Sequence, residues 1–153
     1  MKKEEKELFL ELCKFKSSNY ERLSNLINNG ADTAFVLGHL FYNRMAATAY
    51  GVLESNGLLK YVGREFRTSL KNAWQQNKIK NESYFKCVKK LSDDLKELEG
   101  KYALLKGAYL CRWYPAGYRT SNDVDILAAA RNVTEIGRCL ENAGYKKSEA
   151  KRS

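Results

Sequence analysis

Apolar residues recur at helical spacing through most of the first hundred positions. Between Glu5 and Phe15, the residues Leu8, Phe9, Leu12, Cys13 and Phe15 fall near one stripe, as in an amphipathic helix. Ser17-Ser18-Asn19 breaks the pattern. A second helix is predicted from Tyr20 to Ile27, stopped by Asn28-Asn29-Gly30. Asp32 or Thr33 caps a third, which carries Phe35, Leu37, Leu40, Phe41, Met45 and Tyr50 to an end near Asn56-Gly57. From Leu58 to Leu98 the spacing predicts one long helical stretch, interrupted near Gly63, with Phe66, Leu70, Trp74, Ile79, Tyr84, Val88, Leu91 and Leu95 among its apolar positions. A helix of that length suits the spine of an antiparallel bundle.

After Glu99-Gly100 the texture changes. Tyr102-Ala103-Leu104-Leu105 is short and apolar and runs into Lys106-Gly107, which suits a buried strand entering a turn. Ala108 to Trp113 reads as a short helix ended by Tyr114-Pro115, and Gly117 to Asn122 as a loop. Asp123-Val124-Asp125-Ile126-Leu127 alternates acidic and apolar residues with period two, a strand with one polar face. Asn132 or Thr134 caps a helix through Ala143, Gly144 stops it, and Tyr145 starts a third strand. The expected fold class is mostly helical α+β: a helical bundle over residues 1–100, then the opening half of an α/β core with a small mixed sheet over residues 101–153. Stopping at a third strand leaves a sheet edge unpaired, which predicts a homodimer or a partner chain that completes the sheet.

Composition narrows the classes. A hydrophobic fraction of 44%, ten Tyr and six Phe argue against wholesale disorder. No run approaches the roughly 18 consecutive apolar residues of a membrane span. The charged start, Met1-Lys2-Lys3-Glu4-Glu5-Lys6, leads into no apolar run and predicts no signal peptide and a cytoplasmic location. Cys13, Cys87, Cys111 and Cys139 are scattered and His39 is the single histidine, so zinc is excluded and reduced thiols are expected. His39, on an apolar segment, reads as a packed histidine. The net charge of +9 favours anionic partners, although the Lys86–Lys96 region intersperses its lysines with Asp93 and Asp94, as on any solvated helix face.

The candidate chemistry lies in the second half. Asp123 and Asp125, two apart on a predicted strand, leave the same face, and two carboxylates so placed grip Mg²⁺ jointly. A phosphate normally completes such a shell. Lys106-Gly107-Ala108 lies where a strand turns into a helix, so backbone N–H groups there can face a phosphate, and Lys106 and Arg119 add charge that neutralises a triphosphate. Tyr109, Trp113, Tyr114 and Tyr118 form an aromatic group that either stacks on a base or packs the helix.

Leu105-Lys106-Gly107, Tyr114-Pro115, Arg119 and Asn122-Asp123-Val124-Asp125-Ile126-Leu127 together resemble the signature of the uncharacterised nucleotidyltransferase family, within the DNA polymerase β-like superfamily. The likeness extends back to Leu37-Gly38-His39-Leu40 and forward to Ala143-Gly144-Tyr145, with its specific part at residues 104–127. It implies transfer of a nucleoside monophosphate from an NTP to an acceptor, which is nucleic acid, protein or a small molecule. Asp123 and Asp125 would hold two Mg²⁺ ions, Gly107 and Ala108 would cradle the β- and γ-phosphates, and Lys106 and Arg119 would stabilise charge. Two departures stand beside it. The third carboxylate usual in such enzymes is not found: Glu135 and Glu141 fall on a helix and Glu149 in a basic tail, so the chain reads as stopping before the catalytic domain is complete. Ala108 replaces the superfamily's common serine. The alternative reading is a catalytically incomplete module that binds nucleotide, nucleic acid or protein on the same scaffold.

Overall fold

A computed structural model describes residues 2–16, 18–110 and 113–148, without the side chain of Tyr109. Cys111, Glu149 and the Tyr109 ring, each singled out above, lie outside the described residues. The chain is mostly helical α+β and divides into two compact units, Met1–Asn81 with Tyr114–Thr120, and Glu82–Trp113 with Ser121–Ser153. The division falls inside a helix.

The first unit is helical. It contains α1 (Lys3–Leu12), α2 (Tyr20–Asn28), α3 (Thr33–Tyr42), α4 (Ala46–Ser55) and the start of α5 (Arg64–Asp94). Asn19 caps α2 by accepting from the Arg22 N–H at 3.0 Å, and Asp32 caps α3 by accepting from Ala34 and Phe35. Leu8, Leu12, Leu23, Val36, Leu40, Val52, Leu53, Leu58 and Leu70 are buried together as its core. Every residue of α4 from Ala46 to Leu53 is buried. The single helix expected from residue 33 to 56 is two helices. Arg44 adopts a left-handed φ of 57°, and the Met45 N–H donates to the Leu40 carbonyl at 2.7 Å, which closes α3 and redirects the chain.

The second unit holds the rest of α5, a 3₁₀ turn at Lys96–Leu98, β1 (Tyr102–Leu105), α6 (Gly107–Leu110), β2 (Asp125–Ala128) and α7 (Ala130–Asn142). Among the described residues the sheet has two strands and is antiparallel rather than mixed, pairing Tyr102 with Ala128, Leu104 with Ile126 and Leu105 with Asp125. Its inner face supplies Tyr102, Leu104, Ile126 and Ala128 to a cluster with Leu91, Leu95, Leu98 and Ile136. Tyr145 starts no strand among the described residues. Its N–H donates to the Leu140 carbonyl around Gly144, whose φ is 91°, and its hydroxyl donates to Asp94 at 3.0 Å. These bonds turn the chain back onto α5 instead of extending it along the sheet. The Lys90 ammonium, 2.6 Å from the same carboxylate, holds Asp94 below its ordinary carboxylate pKa. Helix α7 starts at Ala130, earlier than the expected caps, and the Asn132 amide donates to the Lys101 carbonyl at 3.1 Å.

Candidate functional site

Five of the six site residues anticipated from sequence lie in the second unit. Lys106 follows β1 and takes a left-handed φ of 47°, which swings the chain into α6. Its ammonium lies 3.2 Å from Asp125 Oδ2 at the first position of β2, so the turn and the strand are joined by an ion pair. The pair is open to solvent: the Lys106 side chain is 74% exposed and that of Asp125 37%.

Between the two aspartates, Val124 packs inward with Leu104, Tyr84 and Ala108. Asp123 is exposed and Asp125 half-buried, so the carboxylates flank a residue committed to the core. β2 begins only at Asp125, and Asp123 precedes the ladder rather than belonging to it.

Gly107 is buried, and the space a Cβ would take there is filled by the side chain of Ser121. The glycine thus admits Ser121. Ala108 turns its methyl into the small cluster with Tyr84, Val88, Leu104 and Val124, which explains a small apolar residue at this position. Any contact to a phosphate from Gly107 or Ala108 is left to their backbone N–H groups.

Arg119 belongs to the first unit. There its guanidinium lies 5.5 Å from the Tyr114 ring centroid, and its carbonyl accepts from the buried Asn81 amide at 2.7 Å. The aromatic group divides as well. Tyr114 packs on Phe15 at 4.8 Å between centroids, Tyr118 fills the space above Gly51, and burial raises the Tyr118 pKa. His39 contacts the rings of Phe35 and Phe9, as a packed histidine does. Cys13, Cys87 and Cys139 are free thiols.

Two residues of the site went unnoticed in the sequence. The Tyr84 hydroxyl donates to the Asp123 carbonyl at 3.0 Å, and the Ser121 hydroxyl donates to Asp123 Oδ1 at 3.1 Å. Tyr84 showed only as one more apolar position on a long stripe. Ser121, two residues before an acid–apolar–acid run, offered the one local hint.

Mg²⁺ takes one or two protein carboxylates and fills its shell with phosphate oxygens and water. Two aspartates flanking an inward-packed valine, one of them already facing a cation across 3.2 Å, match that donor pattern. Among the described residues no group of three or more His, Cys, Asp or Glu could hold a metal by itself. Nor is any helix among them long and apolar enough to cross a membrane.

A family model described as an uncharacterised nucleotidyltransferase matches residues 30–152. No curated protein and no solved structure matches the chain.

Proposed function

The chain belongs to the uncharacterised nucleotidyltransferase family, and on that premise we propose that it transfers a nucleoside monophosphate from an NTP to an acceptor hydroxyl with Mg²⁺. The observation that carries the reading is the flanking of inward-packed Val124 by Asp123 and Asp125, one residue of which is tied to the strand–helix turn through Lys106.

In this reading Asp123 and Asp125 are the metal ligands. Bound Mg²⁺ would supply charge stabilisation at the phosphates. Lys106 exchanges its bond to Asp125 for a phosphate oxygen, a low-cost exchange because an exposed ion pair contributes only about 0–1 kcal/mol. The N–H groups of Gly107 and Ala108 donate to the triphosphate. The acceptor oxygen forms a bond to the α-phosphorus, the bond from that phosphorus to the β-phosphate oxygen breaks, pyrophosphate leaves, and the hydroxyl proton passes to water. A second copy or a partner chain pairing along the two-stranded sheet belongs to the same proposal.

One observation favours the alternative, a module that binds nucleotide, nucleic acid or protein without turnover: no third carboxylate joins the aspartates among the described residues. Calorimetric titration with ATP and GTP, with and without Mg²⁺, tests both readings. Mg²⁺-dependent binding that disappears in the Asp123→Ala/Asp125→Ala double variant supports the nucleotide site, and release of pyrophosphate then separates enzyme from binder. No binding at millimolar nucleotide by folded protein overturns the nucleotide site.

A further inference from the structure

We infer that Tyr84 and Ser121 are positioning residues for Asp123, fixing its carboxylate for the metal-bound nucleotide. The inference rests on the nucleotidyltransferase reading and extends it to two residues outside the motif. Asp123 carries the weakest local support of the two aspartates. It lies before β2, where no ladder hydrogen bond holds it, and its side chain is exposed. A metal ligand must nevertheless be held to within about 0.5 Å of its working position.

Two hydroxyls supply that restraint. Tyr84, buried on α5, donates to the Asp123 carbonyl at 3.0 Å and so holds the backbone. The Ser121 hydroxyl lies 3.1 Å from Asp123 Oδ1 and 3.3 Å from the Asp123 carbonyl oxygen, so it ties the carboxylate to its own backbone. Gly107 is the third part of the arrangement. A Cβ there would overlap the Ser121 side chain and stand 3.2 Å from the Tyr84 hydroxyl oxygen, so both hydroxyls close over a position that must be glycine. Packing alone does not ask for tyrosine: the ring lies among Ala108, Val88, Leu104 and Val124, where phenylalanine would fill the same space. The hydroxyl is the part that packing leaves unexplained, and it bonds the Asp123 carbonyl. Partners that orient a metal ligand are worth about 10–100-fold in metal affinity.

The test is calorimetric titration of the full chain with ATP, with and without Mg²⁺, in wild type, Tyr84→Phe, Ser121→Ala and Asp123→Ala. Thermal melts of each variant establish that it is folded. Tyr84→Phe and Ser121→Ala are each expected to weaken Mg²⁺-dependent ATP binding about tenfold. Metal-free ATP binding should stay as in wild type, and neither substitution should weaken binding further when added to Asp123→Ala. Should Tyr84→Phe fail to fold, Ser121→Ala carries the comparison. A full Mg²⁺-dependent gain in both variants, whatever their melting temperatures, overturns the inference and leaves the nucleotidyltransferase reading standing. Absence of Mg²⁺-dependent binding in wild type overturns that reading, and the inference with it.

Discussion

Gly107 lies against Ser121 so closely that a Cβ at position 107 would overlap the serine's Oγ and Cβ. The glycine is required by this approach across the turn, since a side chain at 107 and the serine cannot both occupy the space. Gly107→Ala is therefore expected to lower stability by about 1–3 kcal/mol, the usual cost of overpacking. Adding Ser121→Gly should recover part of the loss. Urea unfolding of the single and double variants measures both steps, and a Gly107→Ala protein of wild-type stability would mean that Ser121 does not occupy this space.

Lys106 sets two small effects against each other. A non-glycine residue in the left-handed region costs about 1–2 kcal/mol, and the exposed pair with Asp125 returns about 0–1 kcal/mol. Lys106→Gly removes the strain and the pair, and adds chain entropy to the unfolded state of about 0.5–1 kcal/mol. These changes nearly cancel, so the melting temperature should move by only a few degrees. Nucleotide affinity should nevertheless fall about tenfold if the ammonium faces a phosphate. Melting and ATP titration on one sample separate the two effects.

The parts of this molecule legible in sequence are those set by local pattern. α5 could be read because its apolar period persists for thirty-one residues, and the Asp123–Asp125 pair because acid, apolar and acid alternate beside a lysine–glycine turn. The family match over residues 30–152 takes in α3 to α7 as well as the motif. What escaped depends on distant partners. The break at Arg44 is made by a bond from Met45 back to Leu40, within a run whose composition favours helix throughout. The lost third strand follows from Asp94, fifty-one residues before Tyr145, taking the tyrosine hydroxyl. The role of Tyr84 likewise waits on a carbonyl thirty-nine residues downstream.

Glu11 is buried on α1, with Oε1 held by Arg22 Nε at 3.2 Å and by Lys14 Nζ at 2.7 Å, and Oε2 without a hydrogen-bond partner. Removing Arg22 leaves this charge under-compensated in the core. Arg22→Ala is expected to destabilise by about 2 kcal/mol, less than the loss of a fully buried pair because Arg22 is half-exposed and Lys14 remains. Glu11→Gln in the same background should restore much of the loss, since the neutral amide has no charge to bury. Denaturant midpoints of the two variants check the direction of both changes.

Burial pushes the Cys13 thiol up to about 11 from an ordinary value of 9.0. A raised thiol pKa means the folded state favours the protonated form. Its contribution to stability is therefore complete below about pH 9 and is lost as pH rises towards 11. Wild type should lose stability across that window faster than Cys13→Ala, a comparison that removes the tyrosines and lysines titrating alongside. At pH 8, iodoacetamide followed by peptide mass spectrometry should find exposed Cys87 alkylated well before Cys13.

Within the first unit, residues 114–120 are tied down by three donors from three places in the chain. Thr48 donates to the Tyr118 carbonyl at 3.1 Å, Trp74 Nε1 to the Ala116 carbonyl at 3.0 Å, and Asn81 to the Arg119 carbonyl at 2.7 Å. The Tyr118 ring over Gly51 and the Trp74 ring against Gly117 close the same segment from its two sides. A loop with this many backbone carbonyls engaged cannot easily extend into a protease, although Arg119 itself is exposed and is a trypsin site. Asn81→Ala and Trp74→Phe each remove one donor, at a net cost of about 1 kcal/mol. Cleavage after Arg119 is therefore expected to accelerate by roughly fivefold in each variant and by more in the pair, while the rest of the helical unit resists digestion. Timed trypsin digestion with mass spectrometry reads the site directly. Cleavage after Arg119 at the wild-type rate in the double variant would show that packing of Tyr118 and Gly117, rather than the hydrogen bonds, holds the loop closed.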